Sequence, residues 1–213
     1  MTGNKTALVL GATGLVGQAL VNELLQDPRY TRVTCLVRRP LPASMFKDPY
    51  SKLNPIVIEF DNLQDYQGYF SVNHVYCCLG TTLKQAGSRQ AFRRVDFEYV
   101  HVAAQLTRAQ RCDSFVWISS VGADAKSRNF YLRVKGELEN AIMRMPQLEH
   151  AAAVRPSLLL GEREDTRRLE GLGQTLAPAL QKIMVGPLRK YRPVSALEVA
   201  RKMITLQHFS GQH

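Results

Sequence analysis

Short apolar runs alternating with amphipathic helical stretches predict an α/β fold: a doubly wound parallel sheet with a small C-terminal lid. Three features carry that expectation. The apolar run Leu8-Val9-Leu10 breaks into a glycine-rich turn, Gly11-Ala12-Thr13-Gly14-Leu15-Val16-Gly17. Val16, Ala19, Leu20 and Leu24 then recur at helical spacing until Asp27-Pro28 closes the segment. Five further strand-like runs follow, the later ones separated by helical stretches, so residues 1–213 read as a single domain.

The first unit carries a nucleotide-binding signature. Gly11 can take the tight turn, Gly14 lets the backbone approach a pyrophosphate, and Gly17 removes a side chain where helix meets sheet. The helix that begins there aims its N-terminal amides at phosphates. The spacing G-x-x-G-x-x-G is one residue longer in its first interval than G-x-G-x-x-G, and three glycines alone also fit an ordinary turn. Their position between a strand and a helix is what gives them meaning.

The second strand, Val33 to Val37, ends in Arg38-Arg39, about 20 residues past Gly17, where ribose selectivity is set. An acid there would bond a ribose 2′-hydroxyl, whereas guanidinium groups match a 2′-phosphate in charge and bidentate geometry. The pair therefore predicts NADP(H) in preference to NAD(H), against the alternative of a solvated basic turn. After a Pro-containing connection, Ile56 to Phe60 reads as a buried third strand ending at Asp61. That carboxylate could accept from an adenine amino group or cap the following turn. The fourth strand, Val75 to Leu79, ends in Gly80-Thr81-Thr82, a small polar crest at the edge where the ligand crevice lies. A long helix is expected from Ser88 to Gln110, with Phe92, Val95, Tyr99, Val102, Ala103 and Leu106 on one face.

The fifth strand, Phe115 to Ile118, runs into Ser119-Ser120, and Tyr131 and Lys135 follow at helical i, i+4 spacing. Both can point into one crevice toward a serine hydroxyl. A phenol titrates near 10, and bringing it near 7 asks for about 4 kcal/mol of differential stabilisation, which an ammonium and a bound cationic nicotinamide can supply. Tyr131 then becomes a usable acid or base. A sixth strand, His150 to Val154, leads to Arg155-Pro156 and to Gly161-Glu162-Arg163. Residues from about 155 onward are expected to build the substrate lid, from Leu169 to Met184 and neighbouring turns, with Arg163 either touching a ligand or solvated. Ser195-Ala196-Leu197-Glu198 is a capping box opening a final helix through Leu206.

Composition narrows the classes. Hydrophobic residues make up 45% and charged residues 22%, as in an ordinary globular protein. No apolar run approaches a membrane span and no signal peptide is evident, so a cytoplasmic protein without membrane contact is expected. The net charge is +10, but arginines come as the separated pairs Arg38-Arg39, Arg93-Arg94 and Arg167-Arg168 without a basic tail or a recognition motif, which argues against nucleic acid. Four cysteines, two adjacent and two isolated, suggest reduced thiols, and five scattered histidines argue against a metal site.

Together these residues resemble a short-chain dehydrogenase/reductase of the atypical or extended type, over nearly the whole chain. Gly11, Gly14 and Gly17, the set Ser120, Tyr131 and Lys135, Arg155-Pro156 and Pro193-Val194-Ser195 fall in family order. Cys78-Leu79-Gly80-Thr81-Thr82, Val95-Asp96 with Tyr99-Val100, and Ser119 through Gly122-Ala123-Asp124 to Val134-Lys135-Gly136-Glu137 are similar to the Tat-interacting-protein-like oxidoreductases. The resemblance implies a Rossmann-type domain for NADP(H), with Tyr131 as proton donor, Lys135 on the nicotinamide ribose, Ser120 polarising a carbonyl, and Arg38 and Arg39 on the 2′-phosphate. Gly11, Thr13, Gly14, Leu15, Val16, Gly17, Asp61, Leu79, Gly80, Thr81, Ser119 and Pro156 complete the implied cofactor contacts. The substrate would be a small carbonyl or alcohol and the protein a monomer or homodimer. Asp96 stands near the asparagine of the family's proton relay, and a carboxylate cannot donate as an amide does. That departure leaves open a cofactor-binding regulatory protein with little turnover; a sugar-nucleotide epimerase or dehydratase is a third reading. Gly136, inside a helix, costs about 1 kcal/mol relative to Ala and is assigned to close packing.

Overall fold

The computed structural model of the protein describes residues 4–148, 150–157, 159–160 and 193–207. Its centre is a six-stranded parallel sheet of β1 (Lys5–Leu10), β2 (Tyr30–Val37), β3 (Leu53–Val57), β4 (His74–Cys77), β5 (Ser114–Ile118) and β6 (Ala151–Val154). The strands lie in the order β3-β2-β1-β4-β5-β6. Strand order therefore reverses between β1 and β4, which opens a crevice at their carboxyl ends.

Side chains alternate across the sheet and both faces are covered. On one face Ala7, Val9, Val33 and Cys35 meet Val16, Leu20, Val21, Leu24 and Leu25 of α1 (Leu15–Gln26). On the other, Leu8, Leu10, Phe115 and Trp117 meet Val100, Ala103 and Ala104 of α4 (Tyr99–Ala109) and Leu138 and Ile142 of α5 (Phe130–Met143). The last described helix, α6 (Ala196–Thr205), returns to the first face and adds Val199, Ala200, Met203 and Ile204 beside α1. It opens with the expected capping box: Ser195 Oγ accepts from the Glu198 amide while Glu198 accepts from the Ser195 amide. A short second sheet pairs β7 (Leu159–Leu160) with β8 (Val194–Ser195) in parallel.

Several boundaries differ from those expected, each for a physical reason. The third strand is Leu53–Val57, not Ile56–Phe60, and it is an edge strand, half-buried rather than buried. Pro55 is tolerated there because an edge leaves one side of the ladder unpaired. Ile58 and Phe60 do reach the core, but beyond the strand, where Phe60 opens a run of 3₁₀ turns, Phe60–Phe70. The second strand begins earlier, at Tyr30. The fourth ends at Cys77, although the Cys78 amide still donates to the Leu10 carbonyl at 2.7 Å.

The long helix expected over Ser88 to Gln110 is three pieces in series. Ser88 caps α3 (Arg89–Arg93), a π-helical turn spans Arg94–Glu98, and α4 follows. α3 is preceded by the single turn α2 (Leu83–Ala86). A π turn takes in one extra residue and so rotates everything after it. The buried stripe accordingly runs Phe92, Asp96, Val100, Ala103 and Thr107, whereas Val95, Tyr99 and Val102 of the expected face are only half-buried. The segment Leu169 to Met184 and Gly161-Glu162-Arg163 lie outside the described residues. Among the described residues no helix is long and apolar enough to cross a membrane.

Candidate active site

At the switch point, Gly11 has φ +82°, and a Cβ there would lie 2.6 Å from the Cys78 carbonyl carbon. A Cβ on Gly17 would lie 2.0 Å from the Gly11 carbonyl oxygen. Conformation and packing thus demand glycine at both positions. Gly14 is different. Its φ of −76° and ψ of 166° suit any residue, and its nearest neighbour for a Cβ is the Gly11 oxygen at 3.5 Å. Among the described residues nothing crowds position 14, and its bare backbone leaves the turn open to a group approaching from outside. No side chain caps the N-terminus of α1 and no acid stands in its first turn, which leaves its amides available to an anion. The turn therefore fits a nucleotide pyrophosphate. Thr13 at its crest is exposed, Leu15 is half-buried, and Val16 packs into the core.

Arg38 and Arg39 sit exposed just past β2, with no acidic partner among the described residues. The charge of Arg38 reaches the Tyr99 hydroxyl. Asp61 is exposed on the same edge, but its Oδ1 accepts from Tyr99 Oη at 2.5 Å and lies 3.7 Å from Arg94 Nη1. Burial and then that hydrogen bond push the Tyr99 hydroxyl up to about 12, so it remains a donor to Asp61. One carboxylate oxygen of Asp61 is thus already engaged by protein.

The chemical core lies under the loop that follows β4. Lys135 Nζ is 2.7 Å from Asp96 Oδ1, with the two side chains only 3% and 1% exposed. The other oxygen, Asp96 Oδ2, accepts the Thr81 amide at 2.8 Å. Gly80 lies directly above: a Cβ there would be 3.5 Å from Asp96 Oδ1 and 3.9 Å from Lys135 Nζ. Leu79 and Thr81 beside it are half-buried. Asp96 lies within the π turn, four residues after buried Phe92 and on the same inward face.

Tyr131 and Lys135 share a face of α5, whose start is firmly held. Asn129 caps it by accepting from the Leu132 amide. Gly136 packs on the backbone of the preceding loop, where a Cβ would fall 2.2 Å from the Ala125 nitrogen. The Tyr131 ring rests on Phe92 of α3, centroids 5.7 Å apart, and its hydroxyl makes no hydrogen bond among the described residues. Past β5, Ser119 is buried with a hydroxyl lacking a hydrogen-bond partner in the described structure, while Ser120 is half-buried and donates only to the Val121 carbonyl at 3.3 Å. Pro156 is buried after β6, and its carbonyl receives the Val121 amide at 3.0 Å, which ties the two loops together. Arg155 bonds the Glu139 carboxylate through both Nε and Nη2. Sequence reading missed the Asp96–Lys135 bridge and the Thr81 amide that completes it. The only signal was a lone acid inside an otherwise apolar helical face.

The four cysteines are free thiols, and burial pushes Cys35 and Cys77 up to about 12. Among the described residues no three or more His, Cys, Asp or Glu side chains gather as a metal site.

A parallel sheet whose switch point carries an uncapped, glycine-opened helix defines a Rossmann-type dinucleotide-binding protein. The chain belongs to the NAD(P)H-binding family, whose model matches residues 11–176. It is 37% identical over 172 residues to Protein HTATIP2 of Rattus norvegicus, covering 80% of this chain and 69% of that protein. It is 32% identical over 204 residues to Protein FMP52-1, mitochondrial, of Scheffersomyces stipitis, covering 92% and 85%. Among solved structures it is similar to an oxidoreductase of the short-chain dehydrogenase/reductase family from Burkholderia thailandensis, with TM-score 0.69 and 21% identity over 97% of this chain and 87% of that one. MoeE5 in complex with UDP-glucose and NAD matches with TM-score 0.69 and 15% identity, over 97% and 73%. At such identities the solved structures speak for the fold.

Proposed function

We propose that this protein is an NADP(H)-dependent oxidoreductase that moves a hydride to or from a small carbonyl or alcohol substrate. The observation that carries the reading is the Lys135 ammonium, buried under Gly80 one helical turn after Tyr131, on the same sheet edge as Ser120. Gly11, Thr13, Gly14, Leu15, Val16 and Gly17 would hold the pyrophosphate, Arg38 and Arg39 the 2′-phosphate, and Asp61 the adenine through its free oxygen. Leu79, Gly80, Thr81, Ser119 and Pro156 would line the nicotinamide half. NADPH, when bound, supplies the hydride. Lys135 has three donors and spends one on Asp96, so two remain for ribose hydroxyls and the Tyr131 oxygen. Ser120, less buried than Ser119, would hydrogen-bond the carbonyl oxygen while Tyr131 gives it a proton.

A second reading, a cofactor-binding regulatory protein with little turnover, is favoured by one observation: the ammonium that should activate Tyr131 is already paired with a carboxylate. One experiment separates the two. In a panel of aldehydes, ketones and quinones, wild type should oxidise NADPH, and Tyr131→Phe should lose about two orders of magnitude in rate while binding the nucleotide as before. Equal rates in both proteins would sink the Tyr131 mechanism. No turnover across the panel, with NADPH altering protease sensitivity or association with a protein, would favour the regulatory reading.

A further inference from the structure

We infer that Asp96 is a positioning residue for the nicotinamide half of the dinucleotide: its carboxylate holds the Lys135 ammonium and the Thr81 amide in place before the nucleotide arrives. The inference rests on the cofactor-binding part of the reading above, in which Lys135 meets the nicotinamide ribose, and it needs no turnover.

Three segments meet at this carboxylate. Asp96 itself sits in the π turn, Arg94–Glu98. Its Oδ1 stands 2.7 Å from Lys135 Nζ of α5, and its Oδ2 accepts the Thr81 amide at 2.8 Å, in the loop between β4 and α2. Gly80, next to Thr81, puts no side chain over the pair, and a Cβ there would lie 3.9 Å from Nζ. Both side chains of the pair are almost wholly buried, so neither charge can turn to solvent for a partner.

A lysine side chain is a flexible four-carbon stem, and fixing it costs conformational entropy that a ligand must otherwise supply on binding. Asp96 takes up that ordering within the protein. It engages one of the three N–H donors of Lys135 and thereby sets the directions of the other two. Because the same carboxylate grips Thr81, the ammonium and the loop after β4 are tied to one another. Nearby acids are engaged elsewhere: Glu139 by Arg155, Glu137 by Arg93 and Arg133, and Asp61 by Tyr99 and Arg94, while Asp124 accepts the Lys126 amide. Cys77 at the end of β4 feels both charges of the pair, yet burial pushes its thiol up to about 12 and it stays neutral.

Calorimetric titration with NADPH and with adenosine 2′,5′-bisphosphate, which keeps the adenosine end and lacks the nicotinamide ribose, tests the inference. Asp96→Asn keeps the shape and an acceptor for the Thr81 amide but removes the counter-charge of Lys135. Its affinity for NADPH should fall about tenfold while its affinity for the bisphosphate stays within about twofold of wild type. A loss equal for the two ligands, as a merely structural role would give, overturns the inference. In a Lys135→Met background Asp96→Asn should weaken NADPH no further, and a second full loss there would mean that Asp96 acts other than through Lys135, which overturns it too. Should Asp96→Asn fail to fold, Asp96→Glu keeps the counter-charge, displaces it by one methylene, and should show the same split between the two ligands. Wild type that binds NADPH no more tightly than the bisphosphate takes the ribose from Lys135, and the inference falls with that reading. A tighter NADPH complex that Asp96→Asn leaves unchanged sinks the inference and spares the reading.

Discussion

Arg38 and Arg39 are exposed guanidinium groups just past the end of β2, with no carboxylate partner among the described residues, on the sheet edge that also carries the uncapped start of α1. A surface arginine usually finds an acid or solvent. Two together at the position where an acid would mark a free 2′-hydroxyl ask for an anion instead. NADPH should therefore bind at least tenfold more tightly than NADH, or about 1.4 kcal/mol. Replacing both arginines by Ala should abolish most of that difference while leaving NADH affinity nearly as it was. Calorimetric titration of both nucleotides decides it. Equal affinities in wild type, or a preference that survives the double substitution, would remove the 2′-phosphate from this pair.

Among the elements, α5 shows how strictly one position can be set. Alanine is the better helix former by about 1 kcal/mol, yet at position 136 its Cβ would overlap the backbone of Asp124 and Ala125, at 2.3 and 2.2 Å. Backbone cannot yield as a flexible side chain can, so Gly136→Ala should cost about 3 kcal/mol, the scale of severe overpacking. Urea unfolding reads this, and a variant as stable as wild type would mean that α5 can lift off the loop without cost. The elements that sequence made legible are those with strong local signals. β1, the glycine turn and α1 were readable from an apolar run followed by helical spacing, and Tyr131 and Lys135 from their separation within one helix. The π turn was not, because an extra residue wound into a helix leaves the apolar pattern nearly intact and shifts only its phase. The Asp96–Lys135 bridge joins two helical segments far apart in sequence, so beyond a lone acid in an apolar face nothing local announces it. The edge character of β3 was hidden for a related reason. Ile56, Val57 and Ile58 look like a buried run, and only the tertiary arrangement reveals that Val57 is 51% exposed.

Across the whole molecule, the amino-terminal edge of the sheet is tied together far from the chemistry. Lys5 at the start of β1 bonds Asp113 just before β5 at 2.8 Å, and Asn73 just before β4 donates to the same carboxylate at 3.1 Å. Burial alone would raise the Asp113 carboxyl, but the Lys5 ammonium and the Asn73 amide outweigh it and hold the group below the usual carboxylate range. A depressed carboxyl contributes stability above its unfolded value and loses it as pH falls through the folded one. Asp113→Asn should accordingly cost on the order of 1 kcal/mol at pH 7, and the gap from wild type should begin to narrow only below about pH 4 and close beneath the lower folded value. Denaturant midpoints across pH test this, and a gap that persists in acid would point to packing rather than charge. At the opposite end of the chain, α6 supplies the second half of the cover on the α1 face, with Arg201 bonding Glu23 across the two helices at 2.8 Å. During synthesis from the amino terminus, the glycine turn and all six strands of the main sheet emerge from the ribosome before α6 does. For that interval the nascent chain carries an apolar strip on α1 that α6 has yet to cover, the kind of transiently exposed surface on which chains associate.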